Sequence, residues 1–446
     1  MAREWRLHDV SALIDGGSLL IGDGYRAKNE ELSSSGLPFA RAGSINNGFQ
    51  FDDADYFPEA RLLRVGNKIS QPGDVVFTSK GTVGRFAFVR LGTPRFVYSP
   101  QLCFWRSVNR AVIDPRFLYF WMYGREFFVQ FKGVAGQTDM AEYVNLSDQR
   151  RMHITLPPLA EQRAIAHILG TLDDKIELNR RMSETLGAMA RTLFKSWFVD
   201  FDPVRAKADG GDPRLPQPLT DLFPARLVDS ELGEIPEGWE VSTIGDVAEV
   251  IDCLHSKKPA RRSTGLPLLQ LSNIRDDGLL DIGDAYLISE VDYQEWISRM
   301  EASPGDCVIT NVGRVGAVAQ VPADVKAALG RNMTGVRCRR GFPHPTLLIE
   351  CLLSQAMRSE IVLNMDTGTI LDALNVRNIP KLRFVRGTGH ILHAFERLAR
   401  PLRARMEKSL TEARTIATIR DTLLPKLISG ELRLEDPEKF IGTATP

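Results

Sequence analysis

Apolar positions along the chain fall into two kinds of pattern. Short runs such as VVFT (75–78) and RFAFVR (85–90), punctuated by Gly and Pro, predict strands. The run FLYFWMYGREFFVQF (117–131) is apolar on most sides and predicts a buried helix, or a helix followed by a strand. After Pro157-Pro158 the pattern changes. Ile165, Leu169, Leu172, Ile176, Asn179, Ser183, Leu186, Ala190, Leu193 and Trp197 recur at alternating spacings of four and three. That is the heptad seam of a helix that pairs with another helix. The prolines stand just before its first turn and Glu161 lies within it, as suits a helix start. Asn179 and Ser183 interrupt the seam at its middle. Either they fix register at some expense of stability, or they face solvent where the helix drifts off axis.

A second long helical pattern runs through Phe395, Leu398, Leu402, Met406, Leu410, Ala413, Ile416, Leu424 and Leu427. Pro401 falls inside it, so the helix either begins there after a shorter one or kinks there. Gly430 is its natural stop. Neither helix can bury its stripe alone, which makes the two each other's partners. At 35–40 residues each would be ~55–60 Å long, comparable to ~16–18 base pairs of duplex DNA. Between them, the segment 202–238 is rich in Pro and Gly and reads as a connector rather than a core element.

The chain also repeats itself. Residues 72–84 read PGDVVFTSKGTVG and residues 304–316 read PGDCVITNVGRVG. Trp5 answers Trp239, and Gly36-Leu37-Pro38 answers Gly265-Leu266-Pro267. A repeat this long is a duplicated domain, not a solenoid unit. Two similar surfaces related by an approximate two-fold suit a two-fold partner, of which duplex DNA is one.

Composition narrows the class. The 446 residues suit two or more domains, and 43% hydrophobic with 25% charged residues is an ordinary globular profile. With 56 basic and 56 acidic residues the formal net charge is zero. That excludes indiscriminate nucleic-acid coating but leaves room for local phosphate contacts. The five cysteines (Cys103, Cys253, Cys307, Cys338, Cys351) form no CxxC pair, so they indicate neither a disulfide framework nor a zinc site and fit reduced thiols. The N-terminus is too charged for a signal peptide, and no apolar run approaches the ~20 residues of a membrane span. A cytoplasmic protein without membrane contact is expected.

Catalytic constellations are missing from the sequence. There is no GxxxxGK[ST], HExxH, GxSxG or [DN]PP[YFW]. His390 and His393 stand three apart without a third ligand, and GTVG and GRVG read as tight turns between strands. No catalytic residue, cofactor site or metal site is therefore expected. Polar loop residues able to touch base edges are Arg41, Ser44, Asn46, Asn47, Lys80, Thr82, Arg85, Gln137 and Thr138 in the first copy. In the second they are Ser272, Asn273, Arg275, Asn311, Arg314, Arg331 and Asn332. About a third of this set is expected to touch DNA. Basic runs at Lys257, Lys258, Arg261, Arg262 and at Arg337, Arg339, Arg340 offer phosphate contacts or plain surface charge.

Three stretches resemble a known family. LPPLAEQRAIAHILGTLDDKIELNRRM with LFKSWFVDFDPV, DSELGEIPEGWEVSTIGDVAEV (229–250) and LLPKLISGEL (423–432) are similar to specificity subunits of bacterial type I restriction–modification systems. The resemblance spans nearly the whole chain. It implies an α/β (α+β) fold: two tandem target-recognition domains with pseudo-two-fold symmetry, separated by an antiparallel pair of long coiled-coil-like helices. The expected division is a first recognition domain (1–155), a central long helix (156–200), a Pro/Gly-rich linker (201–238), a second recognition domain (239–388), a distal long helix (389–435) and a tail (436–446). The seam would comprise Ile165, Leu169, Leu172, Ile176, Leu186, Leu193 and Trp197 against Phe395, Leu398, Leu402, Met406, Leu410, Leu424 and Leu427.

By the same resemblance each domain reads half of a split site in double-stranded DNA, and the helix pair sets the spacing. The helices dock two modification subunits, which carry S-adenosylmethionine and methylate adenine at N6. Two restriction subunits using ATP and Mg can join, and this chain itself catalyses nothing. The second copy departs from the pattern, with Ile379-Pro380-Lys381-Leu382 in place of the PPLxEQ opening, so the two docking faces need not be equivalent. The rival readings are a self-sufficient DNA methyltransferase, against which the missing motifs speak, and a coiled-coil scaffold that does not bind DNA.

Overall fold

The computed structural model describes residues 5–46, 48–79, 84–135, 144–366 and 372–440. The chain divides into two compact units, Met1–Ile176 with Thr415–Pro446, and Glu177–Arg414. Both are mixed helix and strand, and their sheets have the same plan. In the first unit a four-stranded antiparallel sheet runs in the order Leu19–Asp23, Leu102–Ser107, Val75–Thr78, Phe86–Phe88. In the second the order is Ala248–Asp252, Met333–Cys338, Cys307–Thr310, Val318–Gln320. Each unit adds a second sheet, of three strands around Leu37–Ala40 in one and of four around Leu266–Leu268 in the other.

The central strands VVFT and CVIT are buried at every position. A strand covered on both faces reads as a continuous apolar run rather than an alternation. The stretch 117–131 belongs to two helices, Pro115–Trp121 and Arg125–Ala135, so the helix-plus-strand alternative fails. Asp114 caps the first, its Oδ1 accepting from Arg116 N at 2.9 Å and Phe117 N at 3.0 Å. Gly124 separates the two. A Cβ there would come within 2.6 Å of Ile428 Cγ2, so only glycine fits.

Leu159–Phe198 and Gly389–Ile428 are each one helix of 40 residues. The second runs unbroken through Pro401 rather than starting there. Pro401 is exposed, where a carbonyl left without its N–H can turn to water. Past its end, Gly430 takes φ +74°. Within the first unit, Ile165 and Leu169 share a core with Leu424, Leu427 and Ile428. Asp173 pairs with Arg420 at 2.6 Å. Within the second, Phe194 stacks edge-on to Phe395 at 5.8 Å, and Ser183 Oγ donates to Met406 O at 3.4 Å. Rising numbers on one helix meet falling numbers on the other, so the helices run antiparallel in each unit.

Along the seam, Ile165, Leu169, Trp197, Phe395, Met406, Leu424 and Leu427 are buried, and Leu172, Ile176, Leu186, Leu193, Leu402 and Leu410 are half-buried. Leu398 departs from the expected seam: it is 38% exposed, and its neighbour Ala399 takes the inward place at 0%. Asn179 and Ser183 are also buried, which removes the solvent-facing alternative for both.

The Pro/Gly-rich stretch is not a bare connector. It holds the helices Asp202–Ala208 and Gln217–Thr220 and the hairpin Leu227–Ser230 with Gly233–Pro236. Pro203 and Pro218 lie in first helical turns, where no N–H is needed. Phe201, Val204, Phe223 and Ile235 join Trp197 and Trp239 in the core of the second unit.

Among the described residues neither amide atom of the buried Asn179 side chain has a hydrogen-bond partner. Asn179→Leu is expected to raise stability by about 1–3 kcal/mol, the desolvation penalty of an unmet amide. A urea unfolding midpoint that moves up at constant slope confirms this; an unchanged or lower midpoint refutes it.

Candidate nucleic-acid interface

The repeated motif builds a frame twice. Gly73 (φ +99°) and Gly305 (φ +86°) adopt left-handed backbone that a side chain would strain. The next residue closes the turn: Asp74 Oδ2 accepts from Gln71 N, and Asp306 Oδ2 from Ser303 N, both at 2.8 Å. The same carboxylates receive a forked guanidinium from the adjacent strand. Arg106 meets Asp74 at 2.6 and 2.7 Å, and Arg337 meets Asp306 at 2.9 and 2.6 Å. Burial pulls the Arg106 pKa down, but its hydrogen bonds to Asp74 and that residue's charge outweigh burial and leave it raised. Arg337 is raised chiefly by its hydrogen bonds to Asp306. Arg337 is thus a strut of the frame rather than a free phosphate contact, while Arg339 and Arg340 are exposed.

The frame carries loops. Thr78 Oγ1 accepts from Arg85 N at 3.1 Å, and Thr310 Oγ1 accepts from Ala317 N at 3.0 Å. The connection 311–317 that Thr310 pins is longer than the tight turn expected of GRVG, while most of GTVG lies outside the described residues. The residue after each threonine is tied to the loop before the neighbouring strand: Ser79 N donates to Gln101 O at 3.0 Å and Asn311 N to Asn332 O at 2.9 Å. A further segment closes on the same point, through Val144 N to Ser79 O at 3.2 Å and Leu374 N to Asn311 O at 2.9 Å. One corner of each unit therefore collects three segments of distant sequence.

In the first unit that corner gathers much of the expected set. Arg85 Nη1 donates to Asn46 Oδ1 at 2.7 Å, and Ser44 Oγ accepts from Arg41 N at 3.1 Å. Arg41 pairs with Asp55. Arg41, Asn46 and Arg85 are exposed. Asn47, Lys80, Thr82, Gln137 and Thr138 lie outside the described residues. Sequence reading missed Gln101, which is exposed and accepts from Ala42 N at 3.1 Å through Oε1. Its signal was positional: Gln101 precedes strand Leu102–Ser107 as Asn332 precedes Met333–Cys338.

In the second unit Arg314 reaches Ile274 O at 2.7 Å and pairs with Asp276. Arg275 forks onto Asp277 at 3.2 and 2.9 Å, and those bonds raise its pKa. Ser272, Arg331 and Asn332 are exposed, with Asn332 in the left-handed region at φ +65°. Two expected contacts are instead structural. Asn273 is buried; it donates to Asp281 O at 2.6 Å and accepts from Gln270 N at 2.7 Å. Asn311 is buried, donating to Leu374 O at 3.0 Å and accepting from Thr334 Oγ1 at 2.9 Å. Both amides are spent on holding loops together. In the basic loop, Lys258 Nζ sits 3.9 Å from the Tyr286 ring centre and Arg261 pairs with Asp284.

These corners offer hydrogen-bond forks and amides on exposed loops over a rigid sheet. That is the equipment of base-edge reading. A family model described as "Type I restriction modification DNA specificity domain" matches residues 6–187. The type I restriction enzyme HindI specificity subunit of Haemophilus influenzae is 24% identical over 413 residues, covering 82% of this chain and 88% of that one. Over most of its length the chain is similar to type I restriction–modification specificity subunits. A second relative, the MjaIX specificity subunit of Methanocaldococcus jannaschii, is 25% identical over 374 residues, covering 83% of this chain and 80% of that one. The fold is that of a solved S subunit: the crystal structure of the type I restriction–modification S subunit from M. genitalium superposes with a TM-score of 0.59 at 13% identity, covering 95% of this chain and 96% of that one. Among the described residues no helix is long and apolar enough to cross a membrane.

The split between structural and surface polar residues can be measured. Asn311→Ala and Asn273→Ala are each expected to lose about 1–3 kcal/mol of stability, because they orphan buried partners. Arg331→Ala should stay within ~0.5 kcal/mol of the parent. Equal thermal shifts for all three would refute the distinction.

Proposed function

We propose that the two loop corners are the reading heads of this specificity subunit. Each discriminates bases in one half of a bipartite DNA site. Residues 1–155 and 239–388 act as the two recognition domains, and the long helices of 156–200 and 389–435 set the distance between half-sites. The observation that carries this reading is the duplicated frame with unlike loops. Asp74–Arg106 recurs as Asp306–Arg337, yet Asn46 and Arg85 in one corner give way to Asp276 and Arg314 in the other.

Within that reading, lysines and arginines outside the ion pairs contact phosphates and set register, while Arg41, Asn46, Arg85 and Gln101 read the first half-site. Ser272, Arg314, Arg331 and Asn332 read the second. The helix pair docks two adenine-N6 methyltransferase subunits, which bring S-adenosylmethionine; restriction subunits bring ATP and Mg. This chain supplies the address. The target adenine leaves the stack to be methylated, so the bound duplex is distorted. The assembly works in the cytoplasm, where its DNA is.

Exchanging residues 1–155 for those of a relative, then mapping N6-methyladenine in the host genome, tests the assignment. One half of the methylated site should change and the other persist. Change in both halves, or in neither, refutes the split-reader reading. DNA affinity of the assembled complex should also fall steeply as salt rises from about 50 to 200 mM, by ~10³-fold or more if six or more phosphates are contacted. A flat response measured by anisotropy refutes phosphate contact.

A further inference from the structure

We propose that Asp252, Cys253 and His255 form a binding site for a divalent transition-metal ion of the zinc type. One ligand atom from each residue lies within 4.8 Å of the other two. The tetrahedral zinc sites of Cys, His and carboxylate have metal–ligand bonds of about 2.0–2.3 Å, which put ligand atoms roughly 3.3–3.8 Å apart. Small side-chain rotations close that difference. His255 Nε2 already stands 2.8 Å from Asp252 Oδ2, a contact that a metal ion would replace. A second observation points the same way. Asp252 Oδ1 is buried and has no hydrogen-bond partner, an acceptor left open beside the thiol and the imidazole. The Cys253 backbone is fixed by its N–H to Met333 O at 3.3 Å.

The first unit supplies the control. Its strand Leu19–Asp23 occupies the place of Ala248–Asp252. There Asp23 pairs with Lys68 at 2.7 Å, and Lys68 Nζ also donates to Gly24 O at 3.0 Å. The second unit repeats the arrangement with Arg299, whose Nη1 donates to Cys253 O at 3.0 Å. It stands off at 3.5 Å from Asp252 Oδ2. The basic partner is common to both copies. What differs is that Gly24 becomes Cys253 and Arg26 becomes His255, placing two ligands where the first copy has none. Binding exchanges the thiol proton, released to solvent, for a metal–sulfur bond; water completes the shell. The ion ties the start of the loop 254–262, with its Lys257, Lys258, Arg261 and Arg262, to the end of the sheet. This site does not depend on the DNA-reading assignment.

Cobalt(II) titrated into the full-length chain, kept reduced with a phosphine, tests it. A thiolate-to-cobalt absorption band in the near ultraviolet should saturate at one equivalent, and zinc should displace it. Cys253→Ser should abolish that band, and His255→Ala should weaken binding by more than about tenfold. The double variant Cys253→Gly with His255→Arg copies the first unit and should fold with an unchanged circular dichroism spectrum yet bind no cobalt. No saturable band in the parent chain, or a band that survives in Cys253→Ser, overturns the proposal.

Discussion

Neither 40-residue helix can bury its apolar stripe unaided, and this constraint organises the molecule. Each helix gives one half to one core and the other half to the second: Ile165 and Leu169 join one core and Phe194 and Trp197 the other. The helices also hold the domains they serve by polar bonds. Gln162 accepts from Asp114 N at 2.9 Å, at the head of the helix Pro115–Trp121. Glu396 does the matching task in the other copy, accepting from Thr346 N and Leu347 N at 3.0 and 3.1 Å at the start of Pro345–Leu353. Arg403 goes further. From the buried side of its helix it pairs with Glu350 at 3.0 Å and donates to Gly278 O at 2.7 Å, in the loop that follows Arg275. Burial raises the Glu350 pKa and Arg403 opposes that rise, so each charge is tolerated only because the other is present. The helix is thereby fixed to the loop corner by an interaction that cannot be half kept.

The frame of each domain was legible because its chemistry is local. The repeated PGD stretches mark the frame as duplicated, and the apolar run VVFT reads as a strand. The seam was legible for a related reason: a period of 3.5 residues is visible over 40 residues even when two positions are polar. Leu398 fell on the wrong side because Pro401 obscured the phase, and Ala399 is too small to stand out against it.

What escaped the sequence depends on tertiary partners. Asn273 and Asn311 look like free amides until Gln270, Asp281, Thr334 and Leu374 are brought beside them. Gln101 is invisible for the opposite reason, as a single polar residue at a strand entrance that matters only because its loop meets Ser79 and Ala42. The Pro-rich stretch misleads because proline marks both linkers and first helical turns. Only the aromatic residues Phe201 and Phe223, packed on Trp239 and Trp197 at 5.8 and 5.0 Å, distinguish the cases.

The zero net charge fits the proposed function through the state of the arginines. Four in the loop corners are already engaged: Arg41 with Asp55, Arg314 with Asp276, Arg275 with Asp277, and Arg85 with Asn46. Exposed pairs of this kind are worth only ~0–1 kcal/mol, so a phosphate or a guanine edge can displace the resident carboxylate at small loss. A wrong base cannot, because it offers no fork of acceptors to match the one surrendered. Pre-pairing thus lowers affinity for any duplex while leaving the difference between right and wrong sequences intact. On the proposed reading the task is discrimination, and for that a neutral chain with occupied arginines is a better arrangement than a strongly basic one.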